Sequence, residues 1–351
     1  MRNFLHPIPQ GLSQSARPIA ALIRLTPPVA LSALLLALAP AAPARAASVP
    51  TGFTDVQITA GLTSPTSLTV LPGGRILVMQ QDGIVRIIKS DGLLPVNFHR
   101  LLNVDSTEEH GCLGLVPDPG FASNHYVYMY CSVYAGGVSR NRVVRVTEAN
   151  DVAVAGSERV IFELPNIPTG NHWHMGGPLA FGRDGKLYIA VGNHEDSPQP
   201  VATASSQNLA SPFGKILRIN SDGTIPADNP YYQTAGAHQA IYALGFRNPF
   251  VMDIQPGTGA LMVGDVGQSS WEEINRVESG RNYGWPAAEG NTSDARYTNP
   301  LYAYSHNDGY AITGLHFYNP AQASFPAGYV GQVFFSEFCV VGAGRCVCRA
   351  G

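Results

Sequence analysis

The chain has 351 residues with 22 basic and 25 acidic side chains, a net charge of −3, and only 13% charged residues against 37 glycines and 27 prolines. That balance argues against a nucleic-acid-binding surface, and the turn-rich, charge-poor composition argues against a helical bundle. Without residues 1–46, which hold four arginines and no acid, the charge moves further, from −3 to −7.

Residues 1–46 read as a secretory signal peptide. Arg2, Arg17 and Arg24 precede the apolar "VALSALLLALAPAAP", and small residues stand at both specificity positions of a cut before Ala47. The alternative is an uncleaved N-terminal anchor. No later stretch reaches the roughly 20 apolar residues of a membrane span, so the mature chain is expected to have none and to be exported, periplasmic or extracellular. Five cysteines follow, an odd number for an exported chain. Cys112 and Cys131 flank one strand region and can pair. Cys339, Cys346 and Cys348 crowd the last thirteen residues, and no CxxC or Cys/His spacing supports structural zinc.

From there one loose unit recurs: an apolar strand, a Pro/Asp/Gly turn, and a second apolar strand. It appears as "SLTVLPGGRILVMQQDGIVRII", "LGLVPDPGFASNHYVYMYCSVY", "PLAFGRDGKLYIAVGN", "VMDIQPGTGALMVGDVG" and "PAGYVGQVFFSEF". The turns fall near Gly73, Pro119, Asp184, Gly257 and Gly328. The runs "GIVRII", "NRVVRV" and "GKILRI" supply third strands, and no convincing amphipathic helix intervenes. Sheets recurring in this way predict an all-β β-propeller, with an irregular two-sheet sandwich as the alternative. Phe53–Leu62 is a candidate outer strand to close the ring. Function is then expected on loops at one end of the channel. Three loops are rich in reactive groups: Asn103–Gly114, the stretch "NHWHMGGPLAFGRDGKLYIAVGNH" from Asn171, and Tyr242–Phe250 followed by Gly264–Pro286.

His174-Met175-Gly176-Gly177, "LAFGRDGKLYIAVGN", "GKILRINSDGTIPADNPY", "IYALGFRNPF" and "GDVGQSSWEEIN…GRNYGWP" follow one another in this order. Together they resemble the glucose/sorbosone dehydrogenase family, the soluble PQQ-dependent sugar dehydrogenases, and the aldose dehydrogenase branch above all. That branch is also similar to the propeller of Hedgehog-interacting proteins. The resemblance covers about Gly52 to Phe338 and implies a six-bladed propeller over residues 47–338, with the quinone over the channel mouth.

By motif position, the resemblance implies that His174 is the catalytic base and that Arg247 and Asn248 contact PQQ. A neutral imidazole suits removal of a hydroxyl proton near neutral pH, and a guanidinium can stabilise charge developing on a quinone oxygen. Gly176 and Gly177 would let the backbone approach a flat cofactor. Gly267 and Gln268 match positions whose carbonyls hold the calcium beside the quinone. Glu273 and Tyr283 match ligands of a second, structural calcium. Oxygen donors of this kind suit a hard cation. Read without the resemblance, His174 is equally a turn histidine, Arg247 a tie between blades, and "SSWEEIN" a solvated turn.

Three positions depart from the family pattern. Glu109 and His194 stand where cofactor-contacting glutamines are expected, and Trp173 stands where an acid often precedes the base. Past Phe338 the sequence becomes "VVGAGRCVCRAG". Residues 339–351 therefore read as an aberrant or truncated tail that leaves the last blade incomplete, with Arg345 and Arg349 as unsupported substitutes for the family's basic residues. The expected activity is PQQ- and calcium-dependent oxidation of aldose sugars at C1 to the lactone, with electrons passed to an external acceptor. The alternatives are a non-catalytic propeller binding a protein or glycan, and a calcium-dependent lactonase, whose carboxylate cluster these loops do not clearly show.

Overall fold

The structure is a computed structural model that describes residues 53–54, 56–195, 199–338 and 349–350. The chain divides into two units, Met1–Ser48 and Val49–Gly351; the first, with the expected signal peptide, lies outside the described residues.

Val49–Gly351 is built from antiparallel sheets that follow one another along the chain, a β-propeller arrangement. Four sheets are full blades of four or five strands. The fifth has three, Ile312–Phe317, Val333–Glu337 and Arg349–Ala350. Each sheet begins with its innermost strand: Pro65–Val70, Cys112–Pro117, Gly176–Phe181, Pro249–Ile254 and Ile312–Phe317. Each of the first four packs against the inner strand of the next sheet, and together the five line a channel of about 950 Å³. The only helices among the described residues are Phe121–Asn124 and two short 3-10 turns. None is long and apolar enough to cross a membrane.

Four of the five strand–turn–strand units form hairpins, and the three expected third strands are present as Ile84–Lys89, Val138–Ala149 and Lys215–Ile219. The fifth unit does not: its expected turn at Gly328 lies in the 3-10 turn Ala327–Tyr329, and its one strand, Val333–Glu337, pairs with Ile312–Phe317 upstream. The physical reason for the hairpins is the two-residue period of a strand, which sends neighbouring side chains to opposite faces. In the second sheet, Val127, Met129 and Cys131 pack with Leu77, Met79, Val85 and Ile87 of the first. The intervening Tyr128 and Tyr130 pack with Leu187, Ile189 and Val191 of the third. In that third sheet Tyr188 and Ala190 turn the other way, onto Leu261 and Val263. Both faces of a middle strand are therefore covered. Leu187–Val191 and Leu261–Asp265 are buried along their whole length, which is why they read as continuous apolar runs. Fully burying one such side chain contributes roughly 1.5–3 kcal/mol.

Cys112 and Cys131 face each other across the first two strands of the second sheet and form a disulfide. Among the described residues of Phe53–Leu62 no strand forms and no ladder partner is found, and Val56 and Ile58 stay exposed. The segment meets the connection between the first two strands of the last sheet through a side chain instead: the Phe53 ring lies edge-on to Phe325 and Tyr329 at 4.7 and 5.4 Å. Of the expected aberrant tail, residues 339–348 and 351 lie outside the described residues, whereas Ala350 and Arg349 pair with Phe334 and Phe335.

Candidate active site

The reactive loops meet at the end of the channel where the inner strands begin. Gly176 pairs with Val191, and Pro249 with Asp265, so the residues just before each inner strand lie beside those just after its neighbour. This places His174 next to Asn193, and Arg247 and Asn248 next to Val266–Gln268.

His174 sits in the left-handed region, φ 59°, with only 7% of its surface exposed. Its backbone N–H donates to Glu109 Oε2 at 2.6 Å. Its Nδ1 lies 2.8 Å from Asn193 Oδ1. The Asn193 amide is itself oriented, because Nδ2 donates to Glu195 Oε2 at 3.1 Å and Oδ1 accepts the Glu195 N–H at 3.2 Å. An oxygen facing Nδ1 makes that nitrogen the N–H, so Nε2 carries the lone pair. Burial, followed by the positive charge of Arg247, pushes the imidazole down to about 4. His174 is thus neutral at physiological pH and held in the tautomer a general base requires.

Arg247 is also buried. Its Nε and Nη2 donate to Gln268 Oε1 at 2.9 and 2.6 Å, and Nη1 donates to Val266 O at 3.0 Å. A guanidinium has five N–H donors, so two remain for a ligand. The backbone under the Arg-Asn pair is fixed by one carboxylate: Asp265 Oδ2 accepts the Arg247 N–H at 3.0 Å and Oδ1 the Asn248 N–H at 2.7 Å. Asn248 Oδ1 accepts the Gly176 N–H at 3.1 Å, which ties this pair to the histidine loop.

Glu109, His174, Arg247, Asn248 and Gln268 are therefore brought together. Glu109 caps the His174 N–H and lies 3.5 Å from Asn248 Nδ2. Burial raises its carboxyl above the usual range, against the His174 N–H and Arg247, which pull it down. His194 lies one layer deeper, 2% exposed. Its Nε2 accepts from Asn141 Nδ2 at 3.2 Å, its ring rests 4.4 Å from Phe213, and Nδ1 is buried with no hydrogen-bond partner among the described residues. Burial holds it near 3, hence neutral. Trp173 is 43% exposed at the rim.

Gly176 and Gly177 have positive φ, 65° and 123°. A Cβ on Gly176 would stand 2.7 Å from Ala190 O, and one on Gly177 would collide with the Leu113 side chain. Close strand approach therefore excludes a side chain at either position.

Gly267 and Gln268 form the turn beyond Asp265, and among the described residues no hydrogen bond is donated to either carbonyl. Glu273 is buried, with Oε1 accepting the Gly290 N–H at 2.6 Å and Oε2 accepting from Asn275 Nδ2 at 3.0 Å. Burial pushes its carboxyl up to about 7. Tyr283 stacks 4.8 Å from Phe246, and its hydroxyl donates to Arg276 O at 2.6 Å. Its phenol is thus directed away from the histidine–arginine pair, and no hydrogen bond joins it to Glu273 among the described residues. Asn193, Asp265, Glu272 and Glu289 were not singled out from the sequence. Asp265 lies inside the "GDVGQ" motif and Asn193 closes "LAFGRDGKLYIAVGN", while nothing local marks Glu289.

The family profile described as glucose / sorbosone dehydrogenase matches residues 62–339. An aldose sugar dehydrogenase of Escherichia coli is 29% identical over 272 residues, 74% of this chain and 71% of that protein. Quinoprotein glucose dehydrogenase B of Acinetobacter calcoaceticus is 29% identical over 278 residues, 73% of this chain and 57% of that protein. The solved PQQ-bound form of an aldose sugar dehydrogenase from Streptomyces coelicolor matches with a TM-score of 0.65 and 27% identity, covering 84% of this chain and 83% of that one. The chain thus spans between 57% and 71% of the length of these two curated relatives. With its profile match running through the histidine loop, the arginine–asparagine pair and the carbonyl turn, the chain belongs to the glucose/sorbosone dehydrogenase family.

Proposed function

We propose that the protein is a sugar dehydrogenase that oxidises the C1 hydroxyl of aldoses to the lactone with PQQ and calcium. The observation that carries this reading is His174: neutral, fixed by Asn193 with its Nε2 lone pair available, and beside the charge of Arg247.

The residues present fit both groups. Asp265, Glu272 and Glu273 are buried carboxylates, each raised by burial first; Glu273 adds to the effect on Asp265, and Glu289 and Glu272 to that on Glu273. Such an excess of negative charge suits a nearby divalent cation. Among the described residues no three His, Cys, Asp or Glu side chains converge on one point. The carbonyls of Gly267 and Gln268 would therefore be donors beside the quinone, and the Glu273 carboxylate with the Tyr283 carbonyl would serve the second calcium. Arg247 and Asn248 would hold PQQ, with Glu109 at its edge and His194 buried behind it. When bound, PQQ and calcium supply a polarised carbonyl that accepts two electrons.

With PQQ held there as the hydride acceptor, His174 Nε2 would take the proton of the C1 hydroxyl, leaving the anomeric carbon as the lactone carbonyl. Arg247 directs its two remaining N–H groups at the negative charge that develops. Asn193 keeps the imidazole in register throughout. Two electrons then pass to an external acceptor. Export is supported by the Cys112–Cys131 disulfide, which suits an oxidising compartment. The six-bladed count is supported by five successive sheets and by the contact of Phe53 with a connection of the last of them.

Reconstitution tests this reading. Protein given calcium and PQQ reduces a dye with glucose, and His174→Ala loses at least about 10²-fold. An absence of PQQ-dependent turnover with any aldose refutes it. The second reading, binding of a protein or glycan without chemistry, is favoured by Glu109, whose carboxylate would face those of the quinone. Intact protein that fails to bind PQQ in an absorbance titration would support it.

A further inference from the structure

A turn between strands ordinarily presents a mixture of amide donors and carbonyl acceptors. The turn Gly267–Trp271 separates them. All five of its N–H groups are taken by carboxylates. Gly267 donates to Glu272 Oε1 at 3.3 Å. Gln268, Ser269, Ser270 and Trp271 donate to one oxygen, Oε1 of Glu289, at 2.8, 3.0, 2.9 and 3.1 Å. Successive amides wrapped round one anion form a nest. With the donors gathered on that anion, the carbonyls of Gly267 and Gln268 are left without a donor among the described residues, whereas Ser270 O accepts the His306 N–H at 3.0 Å.

Glu289 is itself held in place. The next residue, Gly290, donates to Glu273 Oε1 at 2.6 Å, and the Trp271 indole occupies the space a Gly290 Cβ would need. A Cβ at 267 would collide first with the Trp271 carbonyl and would also stand 2.8 Å from Glu289 Oε1, so the closed turn admits only glycine there.

We infer that Glu289 is a positioning residue for the calcium site: by binding the four amides of Gln268–Trp271 it preforms the turn that offers the Gly267 and Gln268 carbonyls to the cation. The inference rests on the calcium reading above. What the role requires is a hydrogen-bond acceptor at Oε1, so a glutamine whose amide oxygen faces the nest should serve in part, and an alanine should not.

The test uses full-length protein stripped of metal, with no PQQ added. Calcium is titrated calorimetrically and by its effect on thermal unfolding. The parent binds calcium, Glu289→Ala binds at least about tenfold more weakly, and Glu289→Gln stays within about fivefold of the parent, the difference expected when hydrogen bonds to a charged acceptor are lost or only weakened. Amide exchange on the calcium-free parent is the companion measurement, and the amides of Gln268–Trp271 are protected before any metal is added. It also decides the matter if Glu289→Ala does not fold. Calcium binding by Glu289→Ala within twofold of the parent overturns the inference and leaves the calcium reading standing. A Glu289→Gln as weak as Glu289→Ala makes the residue a charged ligand and overturns positioning. Unprotected amides in the calcium-free parent overturn it as well. A parent that binds no calcium overturns both.

Discussion

The environment of His174 makes a sharp prediction about pH. Its imidazole is moved from 6.5 to about 4, with burial the larger cause and Arg247 the second. A shift of that size corresponds to about 3 kcal/mol in favour of the neutral ring. The acid limb of kcat/KM should therefore lie near pH 4, with activity level from about pH 5.5 to neutrality. The same ring can be followed without cofactor, by NMR of the histidine carbons in the apoprotein. Arg247→Gln removes the second cause and leaves the first, so the midpoint should rise but stay below 6.5. Stability follows with a definite sign. The unfolded chain takes up the proton near 6.5 and the folded one only near 4, so this contribution is complete above pH 6.5 and is lost as pH falls through that window. Urea unfolding at pH 7.5 and 4.5 should show His174→Ala losing less stability on acidification than the parent, by about 2 kcal/mol. A parental midpoint at 6 to 7, by rate or by NMR, would refute the argument from burial.

Glu109→Gln keeps an acceptor for the His174 N–H and removes a carboxylate from the proposed quinone pocket. PQQ should bind more tightly, by roughly 3- to 30-fold in an absorbance titration, with stability changed by less than about 1 kcal/mol. Asn193→Ala frees the imidazole to change tautomer and leaves the buried Nδ1–H unpaired; kcat should fall about 10-fold or more while calcium binding is unchanged. The Cys112→Ala/Cys131→Ala pair opens a bridge of 19 residues and should lower stability by about 3 kcal/mol in denaturant titration. Ile189→Ala, at a fully buried position between the second and third sheets, should cost about 2–5 kcal/mol.

Much of the scaffold was legible because its signal is local. The turns at Gly73, Asp184 and Gly257 lie between strands that pair with each other, so a few adjacent residues determine each hairpin. Phe53–Leu62 shows the limit. Its composition is that of a strand, but a strand also needs a free edge in register, and the segment engages a connection of the last sheet by the Phe53 ring instead. The site divides in the same way. His174 and the Arg247–Asn248 pair could be found from motif order. Asn193, Asp265 and Glu289 act on residues 17 to 21 positions away, across loops that only the folded ring brings together. The glycines at 176 and 177 stand out in the sequence, whereas the contacts that exclude a side chain there come from Ala190 and Leu113 on neighbouring strands.

The alternation along the middle strands has a consequence for how the protein can change. Tyr188 and Ile189 are adjacent in the chain but belong to different cores, one shared with the fourth sheet and one with the second. A one-residue insertion within Leu187–Val191 would exchange the two sets and damage both interfaces at once. An insertion at Gly257, in a hairpin turn where a side chain would meet open space, would disturb neither core. Length variation is thus expected to collect in the turns, while the middle strands change by substitution alone, each position answering to one neighbouring blade.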